Sequence, residues 1–169
     1  WWYVWIIEKK FPGWLQQALG RGVKAFLVQD HERALWTPEP REAMQEQGII
    51  PGIKVDTGLI PLCGGGPGEK WCRGLDNLAE RCAGYYEQGA RFAKWRNVLQ
   101  IDPASGLPSD LAISVAVQNL AQYAAICQRN KLCPIVEPEI VPNGSHDITV
   151  CAAVTEKVLV EQFKALALH

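Results

Sequence analysis

The chain has 169 residues, of which 48% are hydrophobic and 21% are charged, and this is the profile of an ordinary globular domain. Its 17 basic and 18 acidic residues give a formal net charge of −1, so bulk charge does not attract nucleic acid or an anionic membrane surface. The apolar run over residues 1–7 is far shorter than the ~20 residues of a membrane helix. We therefore expect neither a nucleic-acid partner nor a membrane partner.

From about Val23 onward, short apolar or β-branched runs alternate with longer stretches of helical period. This alternation is typical of βα units and a parallel sheet, so the fold class is α/β. The predicted strands cover residues 23–28, 50–55, 90–95 and 133–137. A candidate helix follows each of them.

Helical periodicity between these strands predicts helices that face a core. Apolar residues recur at i, i+3, i+7 and i+10 from Leu75, which places them on one helical face. Residues 110–130 repeat the pattern, with Ser109 positioned as an N-cap, and a last helix is predicted over 150–168. None of these helices requires a catalytic role.

Glycine-rich and proline-rich stretches over 64–68, 102–106 and 142–146 predict loops. The three consecutive glycines at 64–66 match neither the G-x-G-x-x-G pattern nor the P-loop pattern, and no helix follows them at once. We therefore do not interpret them as a phosphate cradle.

Six cysteines are widely spaced, without a C-x-x-C pair or the repeated spacing of a zinc site. We expect reduced thiols, because free cysteine packs as a small hydrophobe and intracellular chains keep it reduced. The sequence gives no reason to expect a metal site or a cofactor.

Three charged pairs stand at the predicted strand ends: Lys54 with Asp56, Lys94 with Arg96, and Glu137 with Glu139. Residues two apart in a strand project from the same face, and parallel α/β folds place active sites at the carboxyl ends of their strands. One charged strand end is ordinarily the solvated start of a loop. Three in successive βα units favour a functional site.

The chemistry of these six side chains is mixed. Lysine and arginine suit phosphate oxygens, whereas a partly desolvated glutamate among cations can exchange protons with a hydroxyl or an imine. If the strands are neighbours, the side chains converge on one small volume. The residues themselves thus predict a phosphosugar site with acid–base carboxylates.

Several stretches resemble class I fructose-bisphosphate aldolases, in that family's order. The most specific are Gly52-Ile-Lys-Val-Asp56, Phe92-Ala-Lys-Trp-Arg96 and Ile135-Val-Glu-Pro-Glu139, and residues 74–82, 144–147 and 154–157 add to them. The resemblance implies the (β/α)8 TIM-barrel family. Here it would be an incomplete barrel of about four parallel βα units, strands two to five, in a domain over 23–169 that follows a divergent segment of unknown role over 1–22.

The resemblance also implies an activity, the reversible cleavage of fructose 1,6-bisphosphate to dihydroxyacetone phosphate and glyceraldehyde 3-phosphate. Glu137 matches the glutamate that donates and accepts protons around Schiff-base intermediates, and Glu139 matches its charged neighbour. Lys94 matches the lysine that stabilises charge during carbon–carbon cleavage.

Three further matches imply substrate binding. Lys54 and Arg96 match cationic residues of the pocket, with Lys54 on the side that receives the C6 phosphate. Asp56 matches their partner at the pocket edge. The ligand implied by the resemblance is a sugar phosphate, bound by a homo-oligomer in the cytoplasm or, alternatively, in a plastid.

Two family segments have no counterpart in this sequence: the Leu-Lys-Pro segment with the Schiff-base lysine, and the upstream Ala-Asp-Glu-Ser-Thr-Gly segment. Residues 26–32 resemble the second barrel strand only faintly. We therefore expect the chain to be inactive alone. Two alternatives remain open: a non-catalytic remnant that binds a sugar phosphate or a protein, and a truncated gene model.

Overall fold

The computed structural model describes residues 21–22, 24–28 and 36–169. Most of the segment predicted as divergent, the strand start at Val23 and residues 29–32 of the faint resemblance lie outside the described residues.

Six strands occur in the described part of the chain: β1 Ala25–Val28, β2 Ile50–Lys54, β3 Leu59–Pro61, β4 Lys70–Cys72, β5 Phe92–Leu99 and β6 Cys133–Ile140. Strands β1, β2, β5 and β6 form one parallel sheet in that order, so each strand lies beside the next major strand along the chain. The predicted arc of four parallel βα units is confirmed.

Among the residues described, four α-helices connect or follow these strands: α1 Pro38–Glu46, α2 Leu78–Glu87, α3 Asp110–Arg129 and α4 Ile148–Leu168. The predicted N-cap of α3 is confirmed, because the Ser109 hydroxyl accepts from the backbone N–H of Ala112 at 3.1 Å. Helix α4 begins two residues earlier than predicted because Asp147 caps it, accepting from the N–H of Val150 at 2.9 Å.

The helices cover one face of the sheet. Ile53, Ala93 and Trp95 point to that side and are at most 1% exposed, within a cluster that includes Leu120 and Tyr123 of α3. A second cluster fills the space between α3 and α4. The core therefore lies between sheet and helices, as in the outer layer of a βα barrel.

Two predicted strand ends are wrong. Strand β5 continues to Leu99 and β6 to Ile140, so Lys94 is the third residue of eight and Glu137 the fifth of eight. The strands continue because Val98 and Leu99 pair in register with the last two residues of β6, and cross-strand ion pairs accommodate the charges. Only Lys54 ends its strand.

The glycine-rich loop joins β3 to β4 in an antiparallel hairpin that the sequence did not predict. Glu69 fixes this loop to the start of α3. Its carboxylate accepts from the N–H of Gly66 at 2.7 Å, and from the N–H and hydroxyl of Ser109 at 2.7 and 2.6 Å. The triple glycine therefore serves a structural turn.

The Glu69 link makes stability depend on pH. Burial acts to raise the pKa of Glu69, but the hydrogen bonds from Ser109 and Gly66 outweigh it and hold the pKa below its usual value. Because the pKa of Glu69 is lower in the folded state than in the unfolded state, its ionised carboxylate stabilises the fold at pH values above the unfolded-state pKa. This stabilisation is lost as the pH falls through the folded-state pKa. We expect Ser109→Ala to cost about 1 kcal/mol at neutral pH.

Urea denaturation from about pH 7 to about pH 3 measures this, because Glu69 titrates in the acid part of that range. The difference in the free energy of unfolding between the wild type and Ser109→Ala should become smaller as the pH falls. A difference that stays constant would contradict the role given to Glu69.

Gly52 leaves room for the Phe92 ring on the adjacent strand. A Cβ built at Gly52 would lie 2.2 Å from a carbon atom of that ring, a distance that real contacts do not allow. We expect Gly52→Ala to lower the free energy of unfolding by about 1–3 kcal/mol, since overpacking displaces the ring or the strand.

Gly84→Ala is the matched control, because Gly84 lies in α2 and a Cβ added there would meet nothing within 4 Å. Alanine there should be neutral or stabilising by up to about 1 kcal/mol. Chemical denaturation of both variants decides the point, and equal effects would contradict a steric cause at Gly52.

Candidate active site

Five charged side chains share the sheet face opposite the helices. Lys54 lies beside Lys94 in the register of β2 and β5, and Arg96 lies beside Glu137 in the register of β5 and β6. Because faces alternate along a strand, these residues project away from the helix-covered side of Ala93 and Trp95. The predicted convergence is confirmed in its geometry, although it occurs within β5 and β6 and not at their ends.

Two ion pairs cross from β5 to β6 along the same diagonal. The Lys94 Nζ lies 2.6 Å from Glu137 Oε2, and the Arg96 Nε donates to Glu139 Oε2. Each cation thus reaches the carboxylate two positions beyond its register partner. The two glutamates are held parallel to each other, one behind the other along β6.

Lys54 pairs within its own segment. Its ammonium group donates to Asp56 Oδ1, which also accepts from the N–H of Gly58 at 3.2 Å. Burial, and next the negative charge of Asp56, raise the pKa of the neighbouring Cys72 to about 12. Cys72 is therefore a neutral thiol at physiological pH, and it does not act as a nucleophile.

Exposure differs within the cluster: the two lysines are buried, whereas Arg96 and the two glutamates are partly exposed. Lys94 is 4% exposed, while the Glu137 and Arg96 side chains are 22% and 42% exposed. Solvent and small solutes can therefore reach the carboxylates and the guanidinium, whereas the two ammonium groups lie deeper. Such a difference suits an anionic ligand that enters over Arg96 and a carboxylate that exchanges protons beside a fixed cation.

Two helix residues hold the strands that carry the site. The Tyr123 hydroxyl donates to the carbonyl of Ala93 at 2.6 Å, next to Lys94. Arg81 donates to the carbonyl of Val55 at 2.8 Å, between the two members of the pair at 54 and 56. Sequence reasoning missed both contacts. In the sequence, Arg81 and Tyr123 are recognisable only as polar side chains beside an apolar helical stripe. This position does not reveal which backbone carbonyl each of them binds.

Two other kinds of site are absent from the described part of the chain. Within residues 21–22, 24–28 and 36–169, no group of three or more His, Cys, Asp or Glu side chains could hold a metal ion. None of the helices described is long and apolar enough to cross a membrane.

A parallel βα arc with alternating cations and carboxylates on its uncovered face defines a βα-barrel protein with a polar site on its inner wall. The model of the family described as fructose-bisphosphate aldolase class-I matches residues 29–169. The chain belongs to this family, as the sequence predicted.

Individual relatives agree with the family model. Fructose-bisphosphate aldolase 1 of Toxoplasma gondii is 61% identical over 130 residues, which are 76% of this chain and 35% of that protein. Fructose-bisphosphate aldolase 5, cytosolic, of Arabidopsis thaliana is 55% identical over 128 residues, which are 76% of this chain and 35% of that protein. The chain thus spans about a third of the length of the curated relatives it matches.

A solved structure shows the same fold. It is a ternary co-crystal structure of fructose-bisphosphate aldolase from Plasmodium falciparum in complex with TRAP and a small-molecule inhibitor. The match has a TM-score of 0.78 and 48% sequence identity, and it covers 89% of this chain and 44% of that chain. The described sheet and helices therefore correspond to part of the TIM barrel of that aldolase.

Proposed function

We propose that this chain carries one wall of a fructose-bisphosphate aldolase active site, for the reversible cleavage of fructose 1,6-bisphosphate to dihydroxyacetone phosphate and glyceraldehyde 3-phosphate. The observation that carries the proposal is the pair of parallel ion pairs, Lys94 with Glu137 and Arg96 with Glu139, on the uncovered face of the sheet. Membership of the aldolase family supports the choice of reaction.

Glu137 is proposed as the proton donor and acceptor. Its Oε2 atom lies 2.6 Å from the Lys94 ammonium group, and its side chain remains partly exposed. A carboxylate beside a fixed cation can take a proton from a substrate hydroxyl or return one to a carbon or nitrogen centre. Lys94 would stabilise the charge that develops as the carbon–carbon bond breaks, and Glu139 would keep Arg96 in place.

Lys54, Asp56 and Arg96 are proposed as substrate-binding residues. Arg96 offers the most accessible cation of the cluster, and a guanidinium can bind phosphate oxygens through two parallel hydrogen bonds. Lys54 would meet the second phosphate at the β2 side, with Asp56 fixing its ammonium group. In this proposal one phosphate binds beside Lys54, on the strand next to Lys94, and the other beside Arg96, two residues further along the strand of Lys94.

The proposed chemistry also needs an amine that forms an imine with the substrate carbonyl. Lys54 and Lys94 each have their ammonium group in an ion pair, so neither presents a free lone pair. We infer that neither of these two lysines is the nucleophile. Borohydride reduction in the presence of dihydroxyacetone phosphate, followed by peptide mapping, tests this, and a reduced adduct on Lys54 or Lys94 would refute it.

A second function, sugar-phosphate binding without catalysis, is favoured by the same ion pairing of both lysines. Titration calorimetry with fructose 1,6-bisphosphate, together with the borohydride experiment, separates the two functions. Binding with no reduced adduct on any lysine supports the binding module. Binding with an adduct supports the enzyme, and an absence of heat counts against both.

For the assembly we propose a homo-oligomer, without nucleic-acid or membrane partners. Its support is the apolar outer surface of α4, where Ile148 and Phe163 are 82% and 69% exposed and Leu159 and Val160 lie between them. Contiguous apolar surface of this kind marks interaction sites. Light scattering of the wild type and of Phe163→Asp tests this, and a monomer at all concentrations would refute it.

We further propose that residues 23–169 are the barrel part and that 1–22 are a separate segment, since the family match begins at residue 29.

For location we propose the cytoplasm, with a plastid as the alternative. The support is that the Arabidopsis relative carries the word cytosolic in its name. Imaging of the fluorescently tagged chain in cells tests the location.

A further inference from the structure

Two buried cysteines of adjacent helices have their sulfur atoms in contact. Cys82 of α2 and Cys127 of α3 are each 0% exposed, and their Sγ atoms lie 3.9 Å apart. The proposed aldolase chemistry uses neither thiol. Both are free cysteines, and the residues around them belong to the main core.

We propose that Cys82 and Cys127 form an oxidant-sensitive modification site, a dithiol that hydrogen peroxide converts to an internal disulfide. A disulfide has an S–S length of about 2.0 Å, so the sulfur atoms must approach by about 1.9 Å. Rotation about the two Cα–Cβ bonds, together with movement of α2 against α3, must supply this approach. The two residues are 45 positions apart, so the bond would join separate helices.

The reaction proceeds in two balanced steps. The Cys82 thiolate attacks one peroxide oxygen, the O–O bond breaks, hydroxide leaves and a sulfenic acid forms. Cys127 then loses its proton and attacks the Cys82 sulfur, the S–O bond breaks and water leaves. The two thiols give up two electrons in total, and hydrogen peroxide is reduced to two molecules of water.

The environment distinguishes the two thiols. A hydrogen bond from Cys127 lowers the pKa of Cys82 against the effect of burial, and Arg81 acts in the same direction. Cys127 donates this hydrogen bond, and the donation together with burial raises the pKa of Cys127 above its usual value. Cys82 is thus the thiol that reacts with peroxide, and Cys127 is the thiol that resolves the sulfenic acid.

The position of the pair gives the modification a structural consequence. Arg81, next to Cys82, holds the Val55 carbonyl, and Tyr123, one helical turn before Cys127, holds the Ala93 carbonyl. A disulfide would therefore tie α2 to α3 behind the strand segments that carry the charged cluster. Because both cysteines are completely buried, the oxidant proposed is one that is close in size to water.

The test is peptide mapping of the full chain after brief treatment with hydrogen peroxide, with free thiols alkylated before digestion. We expect a linked peptide that joins Cys82 to Cys127, so that these two of the six cysteines are no longer free thiols. Dithiothreitol should restore both thiols. Exposed Cys63 and Cys133 report unselective oxidation in the same sample. Recovery of Cys82 and Cys127 as alkylated thiols, while Cys63 and Cys133 are oxidised, would overturn the proposal.

Variants complete the experiment. Cys127→Ser should abolish the linked peptide and leave Cys82 as a sulfenic acid, which dimedone traps when the oxidised chain is unfolded in its presence, whereas Cys151→Ser should leave the linkage intact. Formation of the Cys82–Cys127 peptide only after denaturation would also overturn the proposal. The wild-type map decides the outcome even if a serine variant fails to fold.

Discussion

Lys94→Ala is expected to lower the free energy of unfolding by about 3 kcal/mol, because it leaves the Glu137 carboxylate without the ammonium group that faces it at 2.6 Å. Lys94 is 4% exposed and the Glu137 side chain is 22% exposed, so water compensates only in part. Removing one partner of such an ion pair lowers the free energy of unfolding more than removing both charges does, because the remaining charge is left uncompensated.

Urea denaturation of a double-mutant cycle measures this effect. Glu137→Gln in the Lys94→Ala background should restore at least half of the lost stability, since it removes the negative charge whose ammonium partner has been deleted. Lys164→Ala is the matched control, because this lysine is 65% exposed in its pair with Glu161 and should change stability by at most about 0.5 kcal/mol. Equal losses in Lys94→Ala and Lys164→Ala would refute the buried pair.

Trp95→Ala should have the largest effect of any single substitution proposed for this chain, about 4 kcal/mol of lost stability. Trp95 is 0% exposed, and its ring centroid lies 5.3 Å from that of Tyr123. Its indole N–H donates to Asn119 Oδ1 at 2.8 Å, so truncation leaves both a cavity and a lost hydrogen bond.

A loss of this size removes most of the stability of a domain at the lower end of the usual range, about 5–15 kcal/mol, so Trp95→Ala should melt at a clearly lower temperature than the wild type. Far-ultraviolet circular dichroism and thermal melts detect this. Leu111→Ala is the control, since Leu111 lies on α3 but is 42% exposed. A melting temperature of Trp95→Ala within a few degrees of the control would contradict the packing described.

Sequence reasoning recovered the βα order because parallel strands are apolar runs and the helices carry regular stripes. Helix α3 was predicted to within one residue, since its stripe is long and its N-cap is a serine with a free hydroxyl. The predicted strand ended at residue 95, so the continuation of β5 through the polar residue Asn97 was missed. In the structure it is 1% exposed, accepts from the N–H of Cys72 and donates to Asn119.

The members of the charged cluster were predicted from the two-residue spacing within each strand, and their convergence followed from the order of the strands. Their partners could not be predicted. Lys94 pairs with Glu137 and not with a neighbour on β2, because the diagonal across β5 and β6 depends on a register that only the folded sheet defines. The same holds for Tyr123 and Arg81, whose partners are backbone carbonyls.

The antiparallel hairpin of β3 and β4 was missed for another reason. Its strands have three residues each, and the glycine-rich turn gives no alternating pattern that would reveal them. Contacts distant in sequence stabilise it, above all the bonds from Ser109 to Glu69 across 40 residues.

The lysines and Arg96 on this face are proposed to form the wall of a sugar-bisphosphate site. Titration calorimetry of the 169-residue chain with fructose 1,6-bisphosphate tests this proposal most directly, with Arg96→Gln as the site variant and Lys164→Gln as the surface control. We predict saturable binding, at least tenfold weaker in Arg96→Gln and unchanged in Lys164→Gln, since a phosphate contact contributes about 1.4 kcal/mol or more. Binding of equal strength in all three proteins, or no saturable heat in any of them, would contradict it.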